Sequence, residues 1–108
     1  MTIQLPPAVE TFYSASNSGD ASRLPACFAA DALVHDEHEE HRGLEAIGAW
    51  LQATRTRYGF HAQPLSAART GSTVEVLARV EGDFPGSPAR LTYAFVLDGD
   101  RIASLKIG

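Results

Sequence analysis

The amino-acid sequence predicts one α+β domain, in which helices precede a curved antiparallel sheet. The spacing of the apolar residues supports this prediction, because it follows the helical period of about 3.6 residues up to about residue 59 and the strand period of about 2 afterwards. Helices segregated from an antiparallel meander favour an α+β layer over a parallel α/β fold. The 108 residues lie in the commonest size range for one domain, so we expect a single domain over residues 1–108.

Three helices are expected in the first half of the chain. The first begins near Pro6, since proline suits the first helical turn, and Gly19 can end it in a left-handed C-cap. Asp20 can cap a short second helix that runs through Phe28. The third helix follows Gly43 and is expected to end near Tyr58 and Gly59. The apolar stripes of the first and third helices are formed by Val9, Phe12, Tyr13, Leu44, Ile47 and Leu51.

Alternating and β-branched residues predict the strands. A polar turn or tight hairpin is expected at residues 37–42, and Asp98-Gly99-Asp100 is typical of a hairpin turn. Pro64 places its strand at a sheet edge or at a bulge. Residues 83–88 are expected to turn the chain, and they can also frame the entrance of a pocket. The expected strands are residues 33–36, 60–69, 73–84, 91–97 and 101–107.

Composition and charge exclude several functional classes. The net charge is −4 and the nine basic residues are scattered, so we expect no nucleic-acid partner. No apolar run approaches the roughly 18 residues of a membrane span, and the first twelve residues lack the regions of a signal peptide, so we expect a cytoplasmic protein without membrane contact. Cys27 is the single cysteine and is expected to be a small buried hydrophobe.

The strand at residues 91–97 has two apolar faces. Its large residues point to one side, whereas Thr92, Ala94 and Val96 point to the other. We expect the large residues to meet the helices. The smaller, flatter face is then expected to meet a second copy of the same sheet, which predicts a homodimer.

The order of these segments resembles a known family. The stretches FAADALVHD, HRGLEAIGAW and LDGDRIASLKI are similar to the SnoaL-like, polyketide cyclase-like branch of the nuclear-transport-factor-like superfamily, which also contains the ketosteroid isomerases. The resemblance covers nearly the whole chain. It implies a cone-shaped fold, with three N-terminal helices on a strongly curved mixed or antiparallel sheet that encloses an apolar pocket. It also implies a small apolar ligand and frequent dimerisation through the outer sheet face.

The resemblance carries three isomerase positions onto this sequence. The proton-transferring carboxylate falls on Asp36. The tyrosine of the first helix falls on Phe12, which has no hydroxyl, although Tyr13 is adjacent. The second donor, a carboxylic acid in the isomerases, falls on Tyr93. One isomerase position is thus matched, one has lost its hydroxyl and one carries a different donor. The resemblance therefore disfavours steroid isomerisation but is consistent with another proton-transfer reaction.

Asp36 and Tyr93 are therefore the candidate catalytic residues. A carboxylate inside an apolar cone loses hydration, so its pKa rises and it becomes a better base near neutral pH. Tyr93 would donate its O–H toward developing negative charge. Two structural alternatives remain open: Asp36 caps the following turn or pairs with Arg42, and Tyr93 is an ordinary core aromatic. The candidate substrate-binding residues are Phe12, Tyr13, Trp50, His61, Phe95 and His35.

Metal and cofactor sites are not expected. The histidines 35, 38 and 41 are three residues apart, which fits neither one strand face nor the spacing of a zinc helix. No phosphate loop or dinucleotide fingerprint occurs. Two functions are consistent with the sequence: a cofactor-free isomerase, cyclase or dehydratase acting on a small apolar carbonyl compound, and a non-catalytic ligand-binding or dimerisation module with the same fold.

Overall fold

The computed structural model describes residues 4–108, which form three helices and one six-stranded sheet. A single 3₁₀ turn over Ala21–Arg23 leads into the second helix. In chain order the elements are α1 (Pro7–Ser18), α2 (Leu24–Cys27), β1 (Phe28–Asp36), β2 (Glu39–Arg42), α3 (Leu44–Tyr58), β3 (His61–Thr70), β4 (Thr73–Glu81), β5 (Ala89–Asp98) and β6 (Arg101–Ile107).

The sheet is open and mixed, with the strand order β2-β1-β6-β5-β4-β3. The β1–β6 pair is parallel, and the four other neighbouring pairs are antiparallel. Because β1 and β6 pair in parallel, the carboxyl end of β1 lies next to the carboxyl end of β6, where His35 pairs with Lys106. The α+β fold class predicted from the sequence is confirmed.

The helix ends follow the predicted caps. Gly19 and Gly59 adopt left-handed conformations with φ of 74° and 53°, and their N–H groups donate to backbone carbonyls of the preceding turn. The Asp20 carboxylate accepts the backbone N–H of Ser22 at 3.1 Å, so the predicted cap forms at the start of the 3₁₀ turn.

Strand β1 begins earlier than expected. The second helix ends at Cys27, and β1 starts at Phe28 rather than at residue 33. Phe28 pairs with Ile102, and an irregularity in the register lies between Phe28 and Leu33. This irregularity breaks the alternation of buried and exposed residues, which is why periodicity alone misses the first half of the strand.

Strand β3 is an edge strand and also contains a bulge. Its register with β4 shifts between Pro64 and Ser66. Both features predicted from Pro64 are therefore present, because a proline cannot donate to a continuous ladder. The side chain of Asn17 fastens α1 to this strand: its Nδ2 donates to the Ala62 carbonyl at 2.9 Å, and its Oδ1 accepts the Ala62 N–H at 2.8 Å.

The core lies between the helices and one face of the sheet. Tyr93 and Phe95 of β5 are buried against the helices, whereas Val96 on the opposite face is 37% exposed. The predicted difference between the two faces of this strand is confirmed. Cys27 is fully buried, and burial raises the pKa of its thiol to about 11. Within residues 4–108, no helix is long and apolar enough to cross a membrane.

Candidate functional site

A cavity of about 290 Å³ opens between the helices and the sheet. It is lined by residues of α1, α3, β1, β4, β5 and β6 and by the segments that follow β1, α3 and β4. No lysine, arginine or histidine of the described chain belongs to the lining. The polar lining residues are Ser16, Asp36, Glu37, Thr54, Tyr58 and Tyr93, and the other aromatic lining residues are Phe12, Trp50, Phe60 and Phe84.

Asp36 is the last residue of β1, and its side chain faces the cavity. The indole Nε1–H of Trp50, from α3, donates to Asp36 Oδ2 at 3.1 Å. The pairing with Arg42 considered from the sequence does not form, because the Arg42 guanidinium donates instead to the Asp31 carbonyl at 3.4 Å. Among the described residues, no cation forms a salt bridge with Asp36. The carboxylate is therefore oriented by a neutral donor and stays available to a ligand.

The surroundings of Asp36 favour its protonated form. Burial raises the pKa of the Asp36 carboxyl above its ordinary value, and the negative charge of Glu37 raises it further. The hydrogen bonds from the Trp50 indole and from the backbone N–H of Glu37, together with nearby His41, oppose this rise without cancelling it.

Tyr93 of β5 lines the same cavity. The residue is 4% exposed, and its hydroxyl has no hydrogen-bond partner among residues 4–108. Burial raises the pKa of the Tyr93 hydroxyl far above its ordinary value, and the negative charge of Asp36 raises it further. The hydroxyl therefore remains a proton donor at neutral pH, in the electrostatic field of the Asp36 carboxylate.

The β1–β2 hairpin places a second carboxylate at the mouth of the cavity. Asp36 pairs with Glu39, so the loop contains two residues, Glu37 and His38, with φ of 52° and 66°. Positive φ at both loop positions is the geometry of a type I′ turn, which glycine and asparagine adopt most readily. The Glu37 side chain accepts the hydroxyl of Tyr58 at 2.8 Å, which ties the hairpin tip to the end of α3.

The other sequence candidates divide into two groups. Phe12 and Trp50 line the cavity. Tyr13 and Phe95 lie outside the lining and pack behind it, with their ring centroids 6.0 Å apart. The Tyr13 hydroxyl is buried without a hydrogen-bond partner in the described part of the chain, and its ring is 5.3 Å from that of Tyr93.

The two histidine candidates also lie outside the lining. His35 faces away from Asp36, as strand alternation predicts, and its Nδ1 is 3.9 Å from a Glu40 carboxylate oxygen. His61 is exposed on the edge strand β3. Over residues 4–108, no group of three potential ligands is arranged to hold a metal ion.

Several lining residues are not predicted from the sequence. Glu37, Tyr58 and Phe60 come from a turn and from the junction between α3 and β3, where periodicity carries no information. Phe84 and Pro85 belong to the segment expected to turn the chain or to frame the entrance, and they do both. The available signal for Glu37 is its position directly after Asp36, the residue that the resemblance assigns to the pocket.

The chain belongs to the SnoaL-like domain family, which it matches over residues 9–105. A protein from Sinorhizobium meliloti with a provisional polyketide cyclase assignment is 39% identical, with a TM-score of 0.93 over 96% of this chain and 95% of that one. A comparison with curated proteins finds no match.

Two more distant structures share the fold. A Catenulispora acidiphila protein with a ketosteroid isomerase-like fold, solved in complex with trimethylamine, is 23% identical, with a TM-score of 0.85 over 97% of this chain and 86% of that one. An epoxide hydrolase from M. tuberculosis is 20% identical, with a TM-score of 0.75 over 94% of this chain and 79% of that one. At these identities the similarity shows the fold alone.

Proposed function

We propose that this protein binds a small, mostly apolar carbonyl compound and moves a proton on it without a cofactor, in the manner of an isomerase, cyclase or dehydratase. One observation carries the proposal: the Asp36 carboxylate faces an apolar cavity, without a cationic partner in the described chain, and shares that cavity with the unpaired hydroxyl of Tyr93. The polyketide cyclase assignment of the Sinorhizobium meliloti relative supports this class of chemistry.

In the proposed reaction Asp36 is the general base. Its carboxylate takes a proton from the carbon next to the carbonyl group, and the electron pair of the broken C–H bond moves to the carbonyl oxygen. The Tyr93 O–H donates a hydrogen bond to the oxygen as the charge develops. The Asp36 carboxylic acid then returns the proton to carbon, at the same or a conjugated position. The Trp50 indole keeps the carboxylate oriented throughout.

A general readout of this step needs no knowledge of the product. A protein that removes and returns the proton in D₂O exchanges the hydrogens next to a carbonyl for deuterium, which proton NMR detects for a panel of small ketones. Asp36→Asn is expected to lower the exchange rate by about 10²- to 10⁴-fold, the usual contribution of a general base. Since the asparagine keeps an acceptor for Trp50, the melting temperature should stay nearly unchanged.

Asp31→Asn is the matched control, because Asp31 is an exposed aspartate of the same strand and lies outside the cavity lining. It should leave the exchange rate unchanged. Exchange that persists in Asp36→Asn would remove the residue from the mechanism. A large fall in melting temperature would instead assign Asp36 a structural role.

A second function, ligand binding without chemistry, has one observation in its favour. Phe12 lines the cavity where the resemblance places a tyrosine, and the neighbouring Tyr13 lies outside the lining. The cavity therefore lacks one of the hydroxyl donors that the isomerases use. Binding of ketones without any deuterium exchange would support this function over the enzymatic one.

We also propose that the protein forms a homodimer through the outer face of the sheet. On this face Ala94 of β5 lies between Glu75 of β4 and Lys106 of β6. Val96, two residues along the same strand, is 37% exposed. A face with small residues at its centre and opposite charges on its flanks can pair with a copy of itself about a two-fold axis.

A further inference from the structure

The charges of the cavity lining are of one sign. Asp36 and Glu37 both belong to the lining, and the described lining residues include no basic side chain. Two guanidinium groups lie near the mouth, but they contact aromatic rings: Arg55 is 5.0 Å from the ring centroid of Phe60, and Arg57 is 5.2 Å from that of Tyr58. Neither arginine lines the cavity. An anionic ligand would therefore meet repulsion inside, whereas a cationic ligand would find an unmatched negative charge.

Glu37 is an exposed residue that is held at the mouth by a neutral hydrogen bond. It accepts the hydroxyl of Tyr58, whose ring packs edge-to-face with Phe84 at 5.8 Å between centroids. These three residues come from the β1–β2 hairpin, the end of α3 and the segment after β4, so they surround the opening from three sides. Among the described residues, no cation forms a salt bridge with the Glu37 carboxylate. Aromatic rings around a carboxylate are the surroundings that attract an alkylated ammonium group.

The inner end of the cavity has different chemistry. Tyr93 is 4% exposed and presents a hydroxyl without a partner in the described chain. Because this hydroxyl borders the cavity, it can donate a hydrogen bond to an acceptor atom of a ligand. The cavity therefore has a donor inside and a carboxylate with aromatic rings at its mouth.

We infer that Glu37, Tyr58 and Phe84 form a subsite for a small cationic amine, so that the ligand carries an alkylated ammonium group at the mouth and a hydrogen-bond acceptor toward Tyr93. The inference deepens the proposed function and rests on it for the carbonyl group of the substrate. The amine subsite itself requires only that the cavity binds a ligand.

Three probes of equal shape separate charge from size. They are (2-oxopropyl)trimethylammonium, its neutral carbon isostere 4,4-dimethyl-2-pentanone, and the anion 3,3-dimethylbutanoate. Trp50 is the single tryptophan and lines the cavity, so its fluorescence reports the binding of each probe. The cation is expected to bind at least about tenfold more tightly than the neutral ketone, and the anion most weakly.

Glu37→Gln removes the charge and keeps an acceptor for Tyr58. It should reduce the preference for the cation over the neutral ketone by about tenfold. Glu40→Gln is the control, since Glu40 is exposed on β2 of the same hairpin and lies outside the lining. The subsite is refuted if the neutral ketone binds as tightly as the cation in the unmodified protein. It is equally refuted if Glu40→Gln lowers the preference as much as Glu37→Gln.

The two proposals fail in different ways. If the protein prefers the cation but exchanges deuterium into no ketone, the amine subsite is supported and the proposed enzymatic function is refuted. Deuterium exchange on the neutral ketone without a preference for the cation retains the enzymatic function and overturns the subsite.

Discussion

The position of Gly82 offers a direct test of how the cavity mouth is built. Gly82 follows β4 and passes close to the junction between α3 and β3. A Cβ added to Gly82 would lie 2.9 Å from Phe60 Cα and 2.9 Å from the Tyr58 carbonyl oxygen. Both are backbone atoms, so the contact cannot be relieved by a side-chain rotation. The Asp83 N–H also donates to the Tyr58 carbonyl at 2.7 Å, which holds the two segments together.

Gly82→Ala should therefore destabilise the protein by about 1–3 kcal/mol, the usual cost of overpacking. The entropy of unfolding is about 2.1 cal/mol/K per residue, so in a chain of 108 residues each kcal/mol lowers the melting temperature by about 4–5 °C. The expected fall is thus about 4–13 °C. Because Tyr58 and Phe60 line the cavity, the displacement should also weaken the binding of ligands that change Trp50 fluorescence.

Gly48→Ala is the matched control. Gly48 lies inside α3, and a Cβ added there meets no atom within 4 Å. The substitution should raise the melting temperature by about 4 °C, since alanine is up to about 1 kcal/mol better than glycine in a helix. Thermal unfolding followed by circular dichroism at one protein concentration measures both variants. A Gly82→Ala variant that melts at or above the temperature of the unmodified protein would refute the close approach described for Gly82.

Three further predictions concern the site and the sheet. Because the pKa of Asp36 is raised, the folded state binds its proton more tightly than the unfolded state, so this residue lowers the free energy of unfolding as pH rises from the unfolded pKa of about 3.9 through the folded value. Urea unfolding should therefore show Asp36→Asn becoming more stable relative to the unmodified protein as pH rises across this window, and a stability difference that does not change with pH would contradict the assignment. Tyr93→Phe should slow deuterium exchange by about 10²-fold or more with little change in melting temperature, and an unchanged rate would exclude the hydroxyl from the reaction. Ala94→Glu should give monomers or insoluble protein, whereas Ala53→Glu on the exposed side of α3 should not, and an unchanged elution volume of Ala94→Glu on gel filtration would argue against the dimer.

The elements of this fold are largely determined by local features of the sequence. Gly19 and Gly59 end their helices because glycine adopts positive φ at little cost. Pro64 marks an edge strand with a bulge, since it lacks an N–H for the ladder. The alternation along β5 indicates which side chains enter the core. Each of these effects acts within a few residues, so it can be predicted without knowing the tertiary contacts.

The candidate site was only partly predictable. Asp36 and Tyr93 are identified because the resemblance to the SnoaL-like branch aligns them with functional positions of the isomerases. Glu37 and Tyr58 are not identified, and Phe84 is anticipated only as part of the segment 83–88 that can frame the entrance, because the three residues lie in a turn, at a helix end and in a loop, where no periodicity directs a side chain. Their sequence separations are large, and only the packing of three separate segments brings them to one opening.

The sequence by itself determines the fold class, the helix ends and the two faces of β5, because propensity, capping and burial patterns act locally. The tertiary structure decides the electrostatics of the cavity. The pKa of Asp36 depends on how much water α3 and the sheet exclude from the carboxyl group, and on the distance to the Trp50 indole. Both quantities arise from contacts between residues far apart in the chain, which is why the sequence names Asp36 as a candidate base but leaves open a pairing with Arg42, and only the folded protein shows that this pairing does not form.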